Sequence, residues 1–386
     1  MSSSPRATPP LLRDLNERRV LELIRAGAPI SRAEISRRSG ISKPTVSLAL
    51  LSLVEAGLVR EAEERPDGPG YGAVYFEPVE DAALVLALDL GARFVRGAVC
   101  DLGGAIRARQ DLELAGADAV TAISRLGAAL LDASGLDSTL VDSVVVGVPG
   151  VIAGDGTLRL AENVAGLEGR RFGDELQDAL GLPVTLENDI NLAALGERWQ
   201  GVARGVDDFV FFSVGTGMGA GVVLGGRLHR GHHGAAGEID FALAALESVD
   251  PAAPEISTLA ATLAASSEAT SLAAPFDPRA IFAAARTGDA VAESVVEEVA
   301  RRIALHVAPI AAVADVELVV LGGGIGANGD LLLAPVGRLL GDWLPFPPRL
   351  VVSTLGDAAV LMGALSVGRQ SALDNVFTRR RAAQTG

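Results

Sequence analysis

The sequence predicts an α/β protein with a large C-terminal body and a small helix-turn-helix module in front of it. Three observations predict this fold class. Residues 11–56 show helical periodicity with two capping signals. Strands that end in glycines alternate with helical stretches from residue 84 onward. Basic charge is concentrated at one end, because the first 60 residues hold 10 Lys+Arg against 5 Asp+Glu, while the whole chain carries a net charge of −15.

Length and composition bound the class of protein. With 386 residues, 49% of them hydrophobic, we divide the chain into a mobile tail at 1–10, a head at 11–78, a body at 82–376 and a C-terminal tail at 377–386. An apolar run of about 18 residues and a signal-peptide pattern are both missing, so we expect a cytoplasmic protein without a membrane span. The single cysteine, Cys100, excludes an intramolecular disulfide and a thiolate-rich metal site, and we expect it to be a small buried hydrophobe.

Capping signals divide the head into three helices. The first is predicted from Leu11 to Gly27, with an apolar stripe formed by Leu12, Leu15, Val20, Leu23 and Ile24. Ser31 caps a second, short helix, and Glu34 completes a capping box. Ser42 caps the third helix, residues 43–56, and the tight turn before it sets the last two helices at an angle. This is the helix-turn-helix arrangement.

The third helix is predicted to enter the major groove of DNA with its first turn. Its core stripe comprises Val46, Leu50, Leu53 and Val54. Thr45, Leu48 and Ser52 are predicted to lie on the opposite face. Lys43, the only lysine of the chain, is interpreted as a phosphate or base contact, with a solvated surface lysine as the alternative. The predicted contacts with double-stranded DNA are Arg32, Ser42, Lys43, Thr45, Ser47 and Arg65.

Two short strands, residues 58–62 and 73–76, are predicted after the third helix. The Gly-, Pro- and charge-rich loop between them is interpreted as a wing, with a linker hairpin as the alternative. The basic charge of this end of the chain favours the wing.

The body is predicted to place ligand sites at the ends of its strands. The predicted strands are residues 84–89, 94–101, 144–148, 184–187, 209–214 and 318–321. Gly215–Gly221 suits a phosphate or a sugar hydroxyl, or else forms a tight hairpin. Asp189 is either a general base toward a hydroxyl or a helix N-cap. Glu238 is either an acceptor for a polyol or an exposed loop carboxylate.

In combination, these segments resemble the ROK family (repressors, open reading frames and sugar kinases) over nearly the whole chain. The motifs that carry the resemblance are Ile30–Ile35, Gly40–Ser47, Asp89–Gly91, Gly147–Gly150, Asn163, Glu187–Asp189, Gly215–Gly217 and Ala236–Ile239. The resemblance implies two actin-like, ribonuclease H-like lobes, a sugar in the cleft between them, and a homodimer or homotetramer. The effector-binding residues that it implies are Gly150, Asn163, Asn188, Asp189 and Glu238. The residues that it assigns to vestigial nucleotide loops are Asp89, Gly91, Gly215, Thr216, Gly217 and Gly323.

One departure from the family pattern concerns catalysis. Kinases of the family need Gly-Thr after Asp-x-Gly to hold the ATP phosphates, and this chain has Ala92 and Arg93 there. We therefore expect neither ATP binding nor phosphoryl transfer, because that reaction depends on positioning and charge stabilisation. Asp189, the base of the family, is expected to serve ligand binding instead.

Other departures from the family pattern concern the zinc site, the contacts with a hexose and the arginine of the wing. Asp240-Phe241 replaces the Gly-His of the family's zinc site and no cysteine follows, so no zinc is expected, and the usual hexose contacts are altered. His232 and His233 are interpreted as surface loop residues. Glu255 is a candidate replacement for a later glutamate of the family, but the motif around it is too eroded to place it. Tyr71 replaces the arginine common in the family's wing, so DNA recognition is expected to depend on the third helix and Arg65.

Three functions follow from these expectations. The favoured one is a regulator of carbohydrate metabolism, expected to be a repressor, that binds a palindromic operator and responds to a sugar in the cleft. The second is an ATP-dependent sugar kinase with a regulatory head. The third is a constitutive DNA-binding protein whose cleft has no sugar ligand.

Overall fold

A computed structural model describes residues 9–63, 73–161, 164–239, 250–267 and 270–385. The elements of the head are α1 Pro9–Gly27, β1 Ile30–Ser31, α2 Arg32–Ser39, α3 Lys43–Glu55, β2 Val59–Glu61 and β3 Tyr75–Pro78. The three strands form an antiparallel sheet in the order β1-β3-β2. The helix-turn-helix and both strands beside the wing are confirmed. The two-residue β1 was not predicted, because it is too short to show a period.

The burial of the head corrects three predictions. Leu12 and Leu15 are about half exposed, so the apolar stripe of α1 is buried only from Val20 onward. On α3, Val54 is exposed, whereas Ser52 is buried. Ser52 lies against α1, where its hydroxyl accepts a hydrogen bond from Arg13 (3.4 Å).

Helical structure extends into both predicted tails. Helix α1 already begins at Pro9, within the predicted tail 1–10, and the last helix runs to Thr385, through most of the predicted tail 377–386. The predicted wing residues Arg65 and Tyr71, and the predicted ligand residues Asn163 and Phe241, lie outside the described residues.

The first lobe of the body is a five-stranded sheet with helices on both faces. Its elements are β4 Leu84–Leu90, β5 Phe94–Asp101, β6 Ile106–Glu113, α4 Ala119–Ser134, β7 Val141–Val148, β8 Val151–Ile152, β9 Leu158–Arg159, α5 Phe172–Leu180, β10 Val184–Asn188 and α6 Asp189–Gln200. The strand order is β10-β7-β4-β5-β6. The strands β4, β7 and β10 are parallel, so their carboxyl ends lie at one edge of the sheet.

The second lobe repeats this plan. Its elements are β11 Phe209–Val214, β12 Met218–Leu224, β13 Arg227–Leu228, α7 Ala253–Ala265, α8 Pro278–Arg286, α9 Ala290–Ala314, β14 Leu318–Gly322, α10 Gly323–Gly326, α11 Gly329–Trp343, β15 Arg349–Val352 and α12 Ala359–Thr385. The strand order is β13-β12-β11-β14-β15, with β11, β14 and β15 parallel. The predicted two-lobed α/β class is confirmed.

The two lobes exchange their last helices. Helix α6 follows the first sheet but packs on β11 and β12 of the second lobe, whereas α12 follows the second sheet and packs on β4 and β7 of the first. The two helices cross with their backbones in contact. A Cβ on Gly196 would overlap the carbonyl oxygen of Ala359, and a Cβ on Gly363 would overlap that of Leu192.

The head shares one hydrophobic core with the body. Val20, Ile24 and Leu53 of the head belong to the same buried cluster as Val85 of β4 and Leu361 of α12. A shared core of this kind resists free rotation of the head. Among the described helices, none is long and apolar enough to cross a membrane.

Candidate functional site

At the cleft between the lobes, Asp189 lies close enough to Asp89 and Glu238 for their charges to interact. Asp89 lies near the end of β4, Asp189 begins α6, and Glu238 lies in the loop after β13. Burial raises the pKa of Asp189 to about 7, and the negative charges of Asp89 and Glu238 add to the shift. Burial also raises the pKa of Asp89 to about 6, against the opposing effect of Arg96. Neighbouring acids such as Asp89 and Asp189, with raised pKa values in a cleft, are typical of a ligand or catalytic site.

Asn188 organises the edge of this cleft. Its Oδ1 accepts a hydrogen bond from the backbone N–H of Asn191 (2.9 Å), so Asn188 caps α6. Its Nδ2 donates to the carbonyl oxygen of Gly150 (2.9 Å), which brings two of the predicted effector residues together. The capping interpretation of Asp189 is therefore wrong, because Asn188 holds the cap position.

Sequence reasoning missed an ion pair that crosses between the lobes. Arg230, in the loop after β13, donates to the buried carboxylate of Glu187 at the end of β10 (2.7 Å). Glu187 also accepts from the backbone N–H of Asn188 (3.0 Å) and from Nδ2 of Asn191 (3.1 Å). The pair ties the loop that carries Glu238 to the strand that precedes Asp189. The only signal in the sequence was a carboxylate at the end of a strand.

The predicted nucleotide loops of the second lobe lie side by side. Gly215–Gly217 form the turn of the β11–β12 hairpin, in which the N–H of Gly215 donates to the carbonyl oxygen of Gly217 (2.8 Å). The hairpin interpretation of this segment is confirmed. The turn adjoins the strand end before Gly323, where α10 begins. Glycines in β12 allow α6 to pack closely, since a Cβ on Gly219 or Gly221 would lie 2.5–2.7 Å from Ile190.

In the corresponding loop of the first lobe, a backbone donor and an acidic side chain are both engaged by other groups of the protein. The N–H of Gly91 donates to the carbonyl oxygen of Phe94 (2.9 Å), so this donor is engaged inside the turn. The guanidinium of Arg96 lies 3.4 Å from the Asp89 carboxylate and also faces Asp357 and Asp111. The guanidinium of Arg96 thus neutralises the Asp89 carboxylate of this loop.

Metal-ligating side chains are scattered. Among the described residues, no three His, Cys, Asp or Glu side chains are grouped in a way that suits a metal ion. His232 and His233 form an exposed edge-to-face ring pair with centroids 4.5 Å apart. Glu255 lies in the first turn of α7. Cys100 is buried in β5, and burial raises the pKa of its thiol to about 12, so it offers no thiolate.

Four of the predicted DNA contacts, Ser42, Lys43, Thr45 and Ser47, lie at the start of α3, whereas Arg32 begins α2. The hydroxyl of Ser42 accepts from the N–H of Thr45 (3.4 Å) and lies 2.8 Å from the Thr45 hydroxyl. The Ser47 hydroxyl donates to the carbonyl oxygen of Lys43 (2.9 Å). Lys43 and Arg32 are exposed. The start of α3 therefore presents a cation and small hydroxyls outward.

Comparison with known proteins decides the family. The model of the ROK family matches residues 85–371, and that of winged helix-turn-helix DNA-binding modules matches residues 13–60. The chain belongs to the ROK family. The xylose repressor of Caldicellulosiruptor bescii is 25% identical over 92% of this chain and 96% of its own length. A glucokinase of Halalkalibacterium halodurans is 31% identical over 58% of this chain and 76% of its own.

A solved ROK regulator has the same fold. The crystal structure of a ROK family transcriptional regulator, described as a homologue of the E. coli MLC protein, is 24% identical, with a TM-score of 0.79. The match covers 96% of this chain and 98% of that chain, head included. This ROK protein is a DNA-binding transcriptional regulator, because it combines the family body with a winged helix-turn-helix head.

Proposed function

We propose that this ROK protein is a cytoplasmic repressor whose affinity for a palindromic operator, bound as a homodimer, is set by a sugar in the cleft between its lobes. The observation that carries the proposal is the course of α6. This helix begins at the cleft with Asp189 and ends at Gln200, and Trp199 in its last turn packs against the core that the head shares with the body. A ligand that moves the first turn of α6 therefore moves its far end as well.

The far end of α6 supports a turn that the head also contacts. The guanidinium of Arg369 on α12 lies 5.0 Å from the ring centroid of Trp199 and donates to the carbonyl oxygen of Gly103 (3.2 Å). From the other side, Arg25 of α1 donates to the carbonyl oxygen of Leu102. The turn after β5 is thus held between the head and the crossed helices.

Further contacts join the head to α12. Arg18 of α1 forms an ion pair with Asp374. Arg25 is half-buried at this junction, and burial together with the charge of Arg369 lowers its pKa to about 10. Because α6 and α12 touch backbone to backbone, a rotation of α6 is passed to α12 and then to α1. The effector needs only unequal affinity for the two positions of the head.

The chemistry of the cleft favours a neutral polyol. Carboxylate and amide groups within one small site bind the adjacent hydroxyls of a sugar by directional hydrogen bonds. A negatively charged ligand such as a sugar phosphate would be repelled by three carboxylates. D-xylose is the first candidate because the 25% identical relative is a xylose repressor.

We propose further that the cleft performs no phosphoryl transfer and that the protein works without zinc or ATP. Ala92 and Arg93 stand where kinases of the family have Gly-Thr. The N–H of Gly91 is already hydrogen-bonded within its turn, and Arg96 is paired with the Asp89 carboxylate. A coupled ATP-consumption assay with D-xylose and D-glucose is expected to show no turnover. Sugar-dependent turnover that Asp189→Asn abolishes would instead assign the protein to the kinases of the family. EDTA is expected to leave the melting temperature unchanged.

The proposal is tested by selecting duplexes from a random DNA pool with the full-length protein and then screening neutral sugars. We expect at least one pentose or hexose to raise the melting temperature and to release the selected duplex. If no sugar in a broad panel does either while the duplex still binds, the protein is a constitutive DNA-binding protein.

A further inference from the structure

The most exposed large hydrophobic side chain in the described part of the head is Leu48, on the DNA-binding helix α3. It is 66% exposed, and Leu51, one turn further along, is 60% exposed. The inward face of α3 is complete without them, since Val46, Ala49, Leu50 and Leu53 are buried. An exposed leucine in the middle of a recognition helix has no role in the core.

We propose that Leu48 reads the 5-methyl group of a thymine in the major groove. The helical spacing puts Leu48 three residues after Thr45 and four after Pro44, so it shares the outward face with the first turn of α3. In this family of motifs the first turns of the recognition helix reach the base edges. An aliphatic side chain cannot hydrogen-bond a base edge, and the thymine methyl is the apolar group that unmodified DNA presents in the major groove.

The polar neighbours of Leu48 strengthen the inference. The hydroxyl of Ser47 donates to the carbonyl oxygen of Lys43, and Thr45 lies in hydrogen-bond contact with the capping Ser42. These hydroxyls are therefore partly committed to the helix itself. The side chain of Leu48 makes no such hydrogen bond within the helix, and its exposed position allows it to contact a base directly.

The charge around Leu48 favours DNA over a second protein copy as the occupant of this surface. Residues 1–60 carry an excess of five positive charges, whereas the body is strongly acidic. Lys43 is exposed in the first turn of the same helix, and Arg32 is exposed at the start of α2, the other helix of the helix-turn-helix. Two copies that met through this face would bring these cations together, whereas the phosphates of DNA neutralise them.

The proposal rests on the DNA-binding function and is tested with base analogues. Full-length protein selects duplexes from a random pool, and each thymine of the enriched half-site is then replaced singly by deoxyuridine, which lacks the methyl group. We expect one position at which uracil weakens binding by the wild type about fourfold, the equivalent of one buried methylene-sized group. Leu48→Ala should weaken binding to the thymine duplex by a similar factor. The affinity of this variant should be the same whether thymine or uracil stands at that position.

Val54→Ala is the matched control, because Val54 is exposed at the other end of α3. It should keep the wild-type response to uracil. The proposal is overturned if uracil has no effect at any thymine, or if Leu48→Ala remains as sensitive to uracil as the wild type. It is also overturned if Leu48→Ala changes the mass of the DNA-free protein in light scattering, which would assign this face to a second copy. Failure of the wild type to enrich any duplex would refute DNA binding itself.

Discussion

Arg369 of α12 and Trp199 of α6 stack at the junction of head and body, with the guanidinium carbon 5.0 Å from the ring centroid. Gly104 lies directly against both side chains, since a Cβ there would be 3.1 Å from the Trp199 ring and 3.3 Å from Arg369. The stack is thus the point at which the two crossed helices and the turn after β5 meet. It lies at the opposite end of α6 from the cleft.

Removing the stack should uncouple sugar from DNA. Trp199→Ala is expected to bind both ligands but to lose most of the change in DNA affinity on sugar addition, a change that amounts to about 5- to 150-fold in typical allosteric proteins. Operator binding measured by fluorescence anisotropy with and without sugar checks this. Trp343→Ala is the control, because the second tryptophan of the chain lies partly exposed on α11. An unchanged sugar effect in Trp199→Ala would contradict the proposed route.

The crossing of α6 and α12 predicts that Gly363 tolerates no side chain. Gly363→Ala would press a methyl group into the carbonyl oxygen of Leu192 and should lower the free energy of unfolding by about 1–3 kcal/mol. Gly341→Ala on α11 is the matched control, because no atom lies within 4 Å of its added Cβ. It should be neutral or stabilising by about 0.5–1 kcal/mol, since alanine favours helix. Urea denaturation of the two variants measures the difference, and equal effects would refute the close crossing.

The raised pKa of Asp189 predicts that stability falls as the pH rises. In the unfolded chain this carboxyl ionises near pH 4, whereas in the folded protein it keeps its proton up to about pH 7. The folded state therefore binds more protons between these values, and stability is lost progressively from about pH 4 to pH 7. Asp189→Asn should flatten this part of the profile of melting temperature against pH. An unflattened profile in Asp189→Asn would show that Asp189 ionises in the folded protein as it does in the unfolded chain.

Lys43 is predicted to contact a phosphate. Lys43→Ala should weaken binding to all duplexes alike and reduce the slope of log K against log salt by about 1. Arg204→Ala, which removes an exposed cation from the body, should change neither quantity. If Lys43→Ala loses affinity while the slope of log K against log salt stays unchanged, Lys43 contacts a base rather than a phosphate.

Local rules in the sequence were sufficient for the head and for most strands. Ser31 and Ser42 cap their helices as predicted, because a capping hydroxyl interacts with its own first turn. The strands β4, β5, β7, β10, β11 and β14 lie where apolar runs predicted them. The glycine-rich β12 was not predicted as a strand. Its glycines allow α6 to pack closely on it, and such a tertiary contact leaves no local pattern in the sequence.

Contacts between segments that are distant in the chain could not be predicted from the sequence. Asn188, Asp189, Gly150 and Glu238 belong to motifs that the sequence displayed, but their grouping depends on strand order. The ion pair of Arg230 with Glu187 joins residues 43 positions apart, and neither position shows a periodic pattern. Leu12, Leu15 and Val54 were assigned to the core by periodicity, although no segment of the described chain covers them.

The most direct test of the central claim measures the affinity of the wild type and of Asp189→Asn for the selected operator, with and without D-xylose or the sugar found in the screen. We predict that sugar weakens operator binding by the wild type at least about fivefold. We predict that Asp189→Asn binds the operator equally well but needs about tenfold more sugar, since the amide replaces one carboxyl oxygen and one hydrogen bond to the sugar is lost. If Asp189→Asn responds to sugar at wild-type concentrations, the effector does not occupy this cleft and the account is wrong.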